Sequence, residues 1–233
     1  MWRRRLRSRS NEIMAGGCSR LSAFVLVTAL LSCCSPSADF ADPNRPVKIV
    51  VLGDSLSAGF GLPLDASFPA RLEQSLKIKG IAVTVVNAGV SGDTASDGLR
   101  RLEWSIPEGT EAVILELGAN DAEQGLSPSV TKAALGSILR RLKNRKIAVL
   151  LTGWRAAPTK GSSYGRAFDA IYPDLASTYA VGLYPFILDG VAGDSRLFQF
   201  DGEHPNAYGV DVIVAGILPR VEKLVAHVRA AHG

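Results

Sequence analysis

The chain has 233 residues, 47% of them hydrophobic and 21% charged, with a formal net charge of +4 at pH 7. That length suits one well-packed domain, and the composition excludes a disordered chain, a collagen or a repeat array. The excess charge is local: Arg3, Arg4, Arg5, Arg7, Arg9 and Arg20 precede residue 42 against only Glu12 and Asp39, leaving 20 basic and 20 acidic side chains in the rest. A neutral body removes the argument for a nucleic-acid partner.

The arginine-rich start is followed by the apolar stretch "LSAFVLVTALL" at 21–31 and by small residues in "SCCSPSA". This order predicts a secretory signal peptide, and the apolar stretch is too short to cross a bilayer as a helix. Residues 1–41 are therefore read as signal peptide and linker, and residues 42–233 as a single domain exported to the periplasm or secreted. A buried N-terminal helix or an organelle transit peptide is the alternative reading, and Met14 is an alternative start. All three cysteines, Cys18, Cys33 and Cys34, fall in this leader, so the domain has no thiol chemistry and no cysteine metal ligand. Leu31-Ser32-Cys33 resembles a lipoprotein cleavage site, although Leu31 stands where a smaller residue is commoner. A lipid anchor on Cys33 is thus a minority reading.

After "ADPNRP" at 41–46, apolar runs recur at 47–52, 81–86, 112–117, 147–152 and 181–186. They are near-continuous rather than alternating, as expected of strands covered on both faces. Helical patterns lie between them. Residues 67–79 place Phe68, Leu72 and Leu76 on one face, and Ser127-Pro128 starts a helix that aligns Leu135, Ile138, Leu139 and Leu142. The segment "TGWRAAPTKGSSYG" at 152–165 is long for a connection and is expected to form a mobile wall of a groove, with Trp154 and Tyr164 either facing a ligand or packed in the core. Residues 206–230 close the chain as a helix that Pro219 is expected to kink. Strands alternating with helices predict a parallel five-stranded sheet between helical layers, an α/β/α sandwich with its site at the carboxyl ends of the strands.

The first run, "VKIVVLGDSLSAG", ends by presenting Ser55 at such a strand end. A serine hydroxyl is a poor nucleophile until a base takes its proton, and only three histidines are available. His227 and His232 lie in the last helix and tail. His204 sits in the loop "DGEHPNAYG", three residues after Asp201, an interval that lets the carboxylate bond the ring nitrogen facing away from the serine. Glu203 adds an oxygen nearby, but a metal site there lacks an H-E-x-x-H pattern or a further histidine. Acyl transfer also needs donors for the developing oxyanion. "VVNAGVSGDT" offers the peptide N–H of Gly89 or Gly92, and "LELGAND" offers the amide of Asn120. Gly59 and Gly61 give a weak hint of a nucleotide-binding turn, but Leu64 replaces its third glycine.

With "GDSLSAG", "SGDT", "GAND" and "DGEHPN" in this order, residues 47–220 resemble the SGNH (GDSL) hydrolases, and within them the exported bacterial arylesterase and acyl-CoA thioesterase I group. The resemblance implies a flavodoxin-like three-layer sandwich that cleaves small-molecule esters and thioesters without metal or organic cofactor. It implies Ser55 as nucleophile, Asp201 and His204 as the other triad members, and Gly92 rather than Gly89 joining Ser55 and Asn120 in the oxyanion hole. Two positions depart from the group's pattern: Glu203, and the "AEQGL" that follows Asp121. Substrates of a lysophospholipase or a carbohydrate acetylesterase are open alternatives, and a non-catalytic exported binding protein is the rival from another class.

Overall fold

A computed structural model describes residues 45–232. The expected leader and its cleavage site, and Cys33 as the alternative anchor position, lie outside the described residues. In chain order the elements are β1 (Val47–Gly53), α1 (Ser55–Ala58), α2 (Phe68–Ile78), β2 (Val83–Gly89), α3 (Ala95–Arg100), α4 (Leu102–Ser105), β3 (Ala112–Glu116), α5 (Ala119–Glu123), α6 (Pro128–Asn144), β4 (Ala148–Thr152), α7 (Ser162–Asp169), α8 (Ile171–Tyr179), β5 (Gly182–Tyr184) and α9 (Ala207–His232).

The five strands form one parallel sheet in the order β2-β1-β3-β4-β5. Alternate side chains of β1 feed two separate cores. Val47, Ile49 and Val51 pack with Phe68, Leu72 and Leu76 of α2 and with Val210, Ile213, Val214 and Ile217 of α9. Val50 and Leu52 face the opposite side, against Leu102 of α4, Leu135, Ile138 and Leu139 of α6, and Ile171 and Tyr172 of α8. The strands read as continuous apolar runs because both faces are covered, so neither parity can be polar. The sequence-based α/β/α sandwich is the observed fold.

The sheet order reverses between β1 and β3, the kind of crevice where open α/β sheets hold their ligands. Register fixes what stands there. Gly53 is level with Gly89 on one neighbour and with Glu116 on the other. The second strand thus runs on through Asn87, Ala88 and Gly89 and starts at Val83, later than its apolar run suggests, because pairing with β1 continues to the rim. Strand β5 is shorter than its run and stops at Tyr184, since Pro185 has no N–H for a ladder. The long segment at 152–165 is partly helical, with α7 starting at Ser162. Helix α9 continues unbroken through Pro219.

The rim is packed too tightly for any side chain at two of its positions. A Cβ on Gly53 would lie 2.1 Å from Ser57 Oγ and 2.5 Å from Glu116 Oε2, and one on Gly89 would lie 2.3 Å from the backbone nitrogen of Ala58. Gly89→Ala must therefore push α1 off the sheet, and we expect a loss of about 1–3 kcal/mol in urea unfolding, typical of overpacking. Gly165→Ala is the contrast: it sits within α7 with open space around the added methyl, and should be neutral or stabilising by up to about 1 kcal/mol. Equal midpoints for the two variants would contradict the packing described.

Candidate active site

Ser55 is the first residue of α1, directly beyond the end of β1. Asp54 caps this single helical turn, its Oδ1 accepting from Leu56 N at 3.1 Å. Gly59 closes it with φ +78°, its N–H bonded to Ser55 O. A left-handed residue one turn after the serine needs glycine, so Gly59 ends a helix rather than cradling a phosphate. The strand-to-turn geometry lifts the Ser55 hydroxyl to the rim.

His204 arrives from the loop before α9. Its Nε2 lies 3.0 Å from Ser55 Oγ, and its Nδ1 lies 2.8 Å from Asp201 Oδ2. With Nδ1 protonated the ring donates to Asp201, and Nε2 is free to accept the serine proton. The other oxygen of Asp201 accepts from the backbone N–H groups of Glu203 and His204 at 2.9 and 3.0 Å. Those backbone bonds, first His204 and then Glu203, followed by the ring contact, hold the Asp201 carboxyl down at about 2. It stays a carboxylate until strong acid. Phe60 lies against the imidazole, ring centroids 4.5 Å apart.

On the other side of the serine, the Asp93 N–H bonds Val90 O and closes a turn with Gly92 at its third position, φ +86°. That sign at that position is the type II pattern, which glycine satisfies. A Cβ at Gly92 would meet nothing, so this peptide faces open space while Gly89 is pressed against α1. The Gly89 N–H is already donated to Asn87 Oδ1 at 2.9 Å. Asn120, in the first turn of α5, donates through Nδ2 to Asp93 O at 3.0 Å and makes a longer 3.4 Å contact to Asp54 Oδ2.

All five residues picked from the sequence are brought to one place. Ser55, Gly92, Asn120 and His204 line a single cleft of about 180 Å³, with Trp154, Glu123 and Glu203 also on its wall, and Asp201 stands behind the imidazole. Of the two aromatics in the 152–165 segment, Trp154 faces the cleft, which Phe60 also lines. Tyr164 is a packing residue instead: its hydroxyl donates to Leu126 O and its ring stacks on Phe168 at 5.7 Å.

Sequence reasoning missed the groups that brace this constellation. Arg101 is buried; it donates to Asp93 at 2.5 Å, to Gly53 O and Ala88 O at 2.8 Å each, and to Ser105 Oγ. One guanidinium therefore holds the ends of β1 and β2 and the turn that carries Gly92, using the fixed fork of that side chain. Asp121 is fully buried and ties α5 to α3 and α6, accepting from Ala95 N and Thr131 Oγ1 at 2.8 Å each. Gln199 fastens the histidine loop to the serine side by donating to Phe60 O at 2.7 Å. Glu116, the one charge in the third apolar run, was a visible signal of a special site. It is buried, accepting from Ser57 Oγ at 2.7 Å and from Asp54 N at 3.4 Å. Burial pushes its carboxyl well up, and the Asp54 charge adds to the effect. Burial likewise pushes Asp54 up, to about 7.

The GDSL-like lipase/acylhydrolase family profile matches residues 51–212. The chain belongs to that family. Among GDSL-like relatives, an arylesterase of Vibrio mimicus is 39% identical over 159 residues, 68% of this chain and 80% of that protein. A thioesterase 1/protease 1/lysophospholipase L1 of Escherichia coli strain K12 is 37% identical over 180 residues, 77% of this chain and 85% of its own. The crystal structure of AlinE4, an SGNH-hydrolase family esterase, superposes with a TM-score of 0.66 at 44% identity, covering 77% of this chain and 96% of that one. The GDSL serine of the family name is Ser55 in this chain, and its surroundings are those just described.

The buried carboxyls give the GDSL-like domain a defined response to pH. An acid whose pKa is raised by folding holds its proton after the unfolded chain has released it. Its contribution to stability is complete below the ordinary carboxylate range and is lost as pH rises through the raised value. Asp201, held at about 2, acts in the opposite direction and only in strong acid. Asp54 and Glu116 therefore predict a fall in urea stability between about pH 5 and pH 8, and Glu116→Gln should flatten that slope. An equally steep slope in the variant would contradict the assignment.

Proposed function

We propose that this chain is a serine hydrolase of carboxylic esters and thioesters that works through an acyl-enzyme formed on Ser55. The observation that carries the reading is the chain of contacts Ser55 Oγ, His204 Nε2, His204 Nδ1 and Asp201 Oδ2, at 3.0 and 2.8 Å, on the wall of an open cleft. Ser55 Oγ attacks the acyl carbon while Nε2 of His204 takes the hydroxyl proton. Asp201 keeps the ring oriented and stabilises the imidazolium. The carbonyl oxygen becomes an oxyanion that receives the N–H groups of Ser55 and Gly92 and one proton of Asn120 Nδ2. The 3.0 Å bond to Asp93 O fixes that amide, and the long 3.4 Å contact to Asp54 leaves its second proton to the substrate. His204 then protonates the departing alcohol or thiol, and water repeats the sequence to release the acid.

The named relatives, an arylesterase and a thioesterase/lysophospholipase, support aryl esters, acyl thioesters and lysophospholipids as the substrate classes to try first. Among the described residues no helix is long and apolar enough to cross a membrane. Export through the leader at 1–41, to the periplasm or the medium, is part of the same proposal, and so is a small-molecule ester as the partner.

Ser55→Ala should reduce hydrolysis of an aryl acetate to the uncatalysed background with an unchanged circular dichroism spectrum. Asn120→Ala should lower turnover by about 10² to 10³, the usual cost of one oxyanion donor. Wild-type kcat/KM should fall on the acid side, because a protonated His204 cannot accept the serine proton. Wild-type rates in Ser55→Ala would overturn the reading, as would a profile flat from pH 5 to pH 8.

A further inference from the structure

Two carboxylates that the hydrolytic scheme leaves unused stand beside the reacting groups. Glu123 ends α5, three residues after Asn120 and so on the same face of the helix. Glu203 immediately precedes His204. Both are exposed at the mouth and both line the cleft that holds Ser55 Oγ. They are also the two places where the sequence departs from the pattern of the family it resembles.

The two carboxyl groups, one on α5 and one on the histidine loop, lie close enough for Glu203 to act on Glu123. Burial and the neighbouring Glu203 both raise the Glu123 carboxyl, while His204 and Lys160 oppose them. Lys160 is the nearby cation, its Nζ donating to the backbone carbonyl of Glu123 at 2.5 Å. No lysine or arginine lines the cleft itself. His204 is neutral when it acts as base, and Asp201 behind it is a carboxylate. The charged side chains on the cleft wall are thus both carboxylates, and Lys160 stands outside it.

We propose that Glu123 and Glu203 set the charge preference of the cleft, so that esters neutral or cationic near the scissile bond are hydrolysed and esters carrying an anion there are rejected. This rests on the reading of Ser55 as the nucleophile. The rejection is built from repulsion, a common way to gain specificity without a tighter fit for the preferred ligand. It acts over short range: a charge farther away than the Debye length, about 10 Å at 0.1 M salt, is largely screened. An acyl group joined to a long leaving group with a remote anion therefore escapes it.

The test compares kcat/KM for nitrophenyl acetate with that for a carboxylate-bearing and a trimethylammonio-bearing aryl acetate, at low salt. In Glu123→Gln/Glu203→Gln the anionic-to-neutral ratio should rise about tenfold and the cationic-to-neutral ratio should fall, with both changes shrinking in 1 M salt. Glu103→Gln, a surface change of α4 far from the cleft, should leave both ratios where they are. Ratios unmoved in the double variant, or moved equally by Glu103→Gln, would overturn the proposal. Ser55→Ala, assayed beside them, separates the two failures. Loss of all three activities there with unmoved ratios in the double variant refutes only the charge preference, whereas retained activity refutes the nucleophile.

Discussion

The contact between Ser55 Oγ and His204 Nε2 joins residues 149 apart in sequence, and most of the rim is arranged so that it can exist. Neither side chain reaches the other from a free loop. Ser55 is held by a strand end, an aspartate cap and a glycine stop; His204 is held by an Asx turn on Asp201 and by Gln199, which reaches back to the loop after α1. The sheet makes this economical. Parallel strands all deliver their following residues to one rim, and the reversal of order between β1 and β3 opens the crevice into which those residues point.

Polar groups beneath that rim carry the structural load that apolar packing cannot. Arg101 satisfies the carbonyls of Gly53 and Ala88 where the ladder ends, and its ion pair with Asp93 steadies the turn that exposes Gly92. Gly53 O also accepts from Val90 N at 3.1 Å, so removing Arg101 would chiefly strip the Asp93 carboxylate of its cationic partner. Asp54 and Glu116 are a different case. Two buried carboxyls beside the serine turn are unfavourable as a charged pair, and burial answers by retaining protons rather than by recruiting a cation. Their bonds to Leu56 N and Ser57 Oγ pin α1 from below. Stability is given up at the site where position matters most.

The sheet and its long helices were legible because burial on both faces leaves a plain apolar signal, and because Leu135, Ile138, Leu139 and Leu142 repeat at the helical period. The short helices were not. Elements such as α3 and α5 are one or two turns set by caps and tertiary ties, with too few residues for a period to show. Ser55 and Asn120 were visible as polar groups just past strand ends, and Asp201 and His204 as a closely spaced pair in the loop before the last helix. Arg101 was hidden beside Arg100: one of the pair is exposed and the other buried, and only helix phase relative to Gly98 and Ser105 tells them apart. Trp154 and Tyr164 looked alike in one loop, yet only Trp154 faces the cleft, because α7 turns Tyr164 toward Phe168.

In the proposed mechanism the serine hydroxyl, the imidazole and the oxyanion donors address one and the same substrate atom pair. The most direct measurement is a crystal structure of the chain after reaction with an aryl phosphonate. Phosphorus is expected bonded to Ser55 Oγ, with one phosphonyl oxygen about 2.7–3.1 Å from both Gly92 N and Asn120 Nδ2. An unmodified Ser55, or an adduct whose oxygen points away from those two nitrogens, would contradict it.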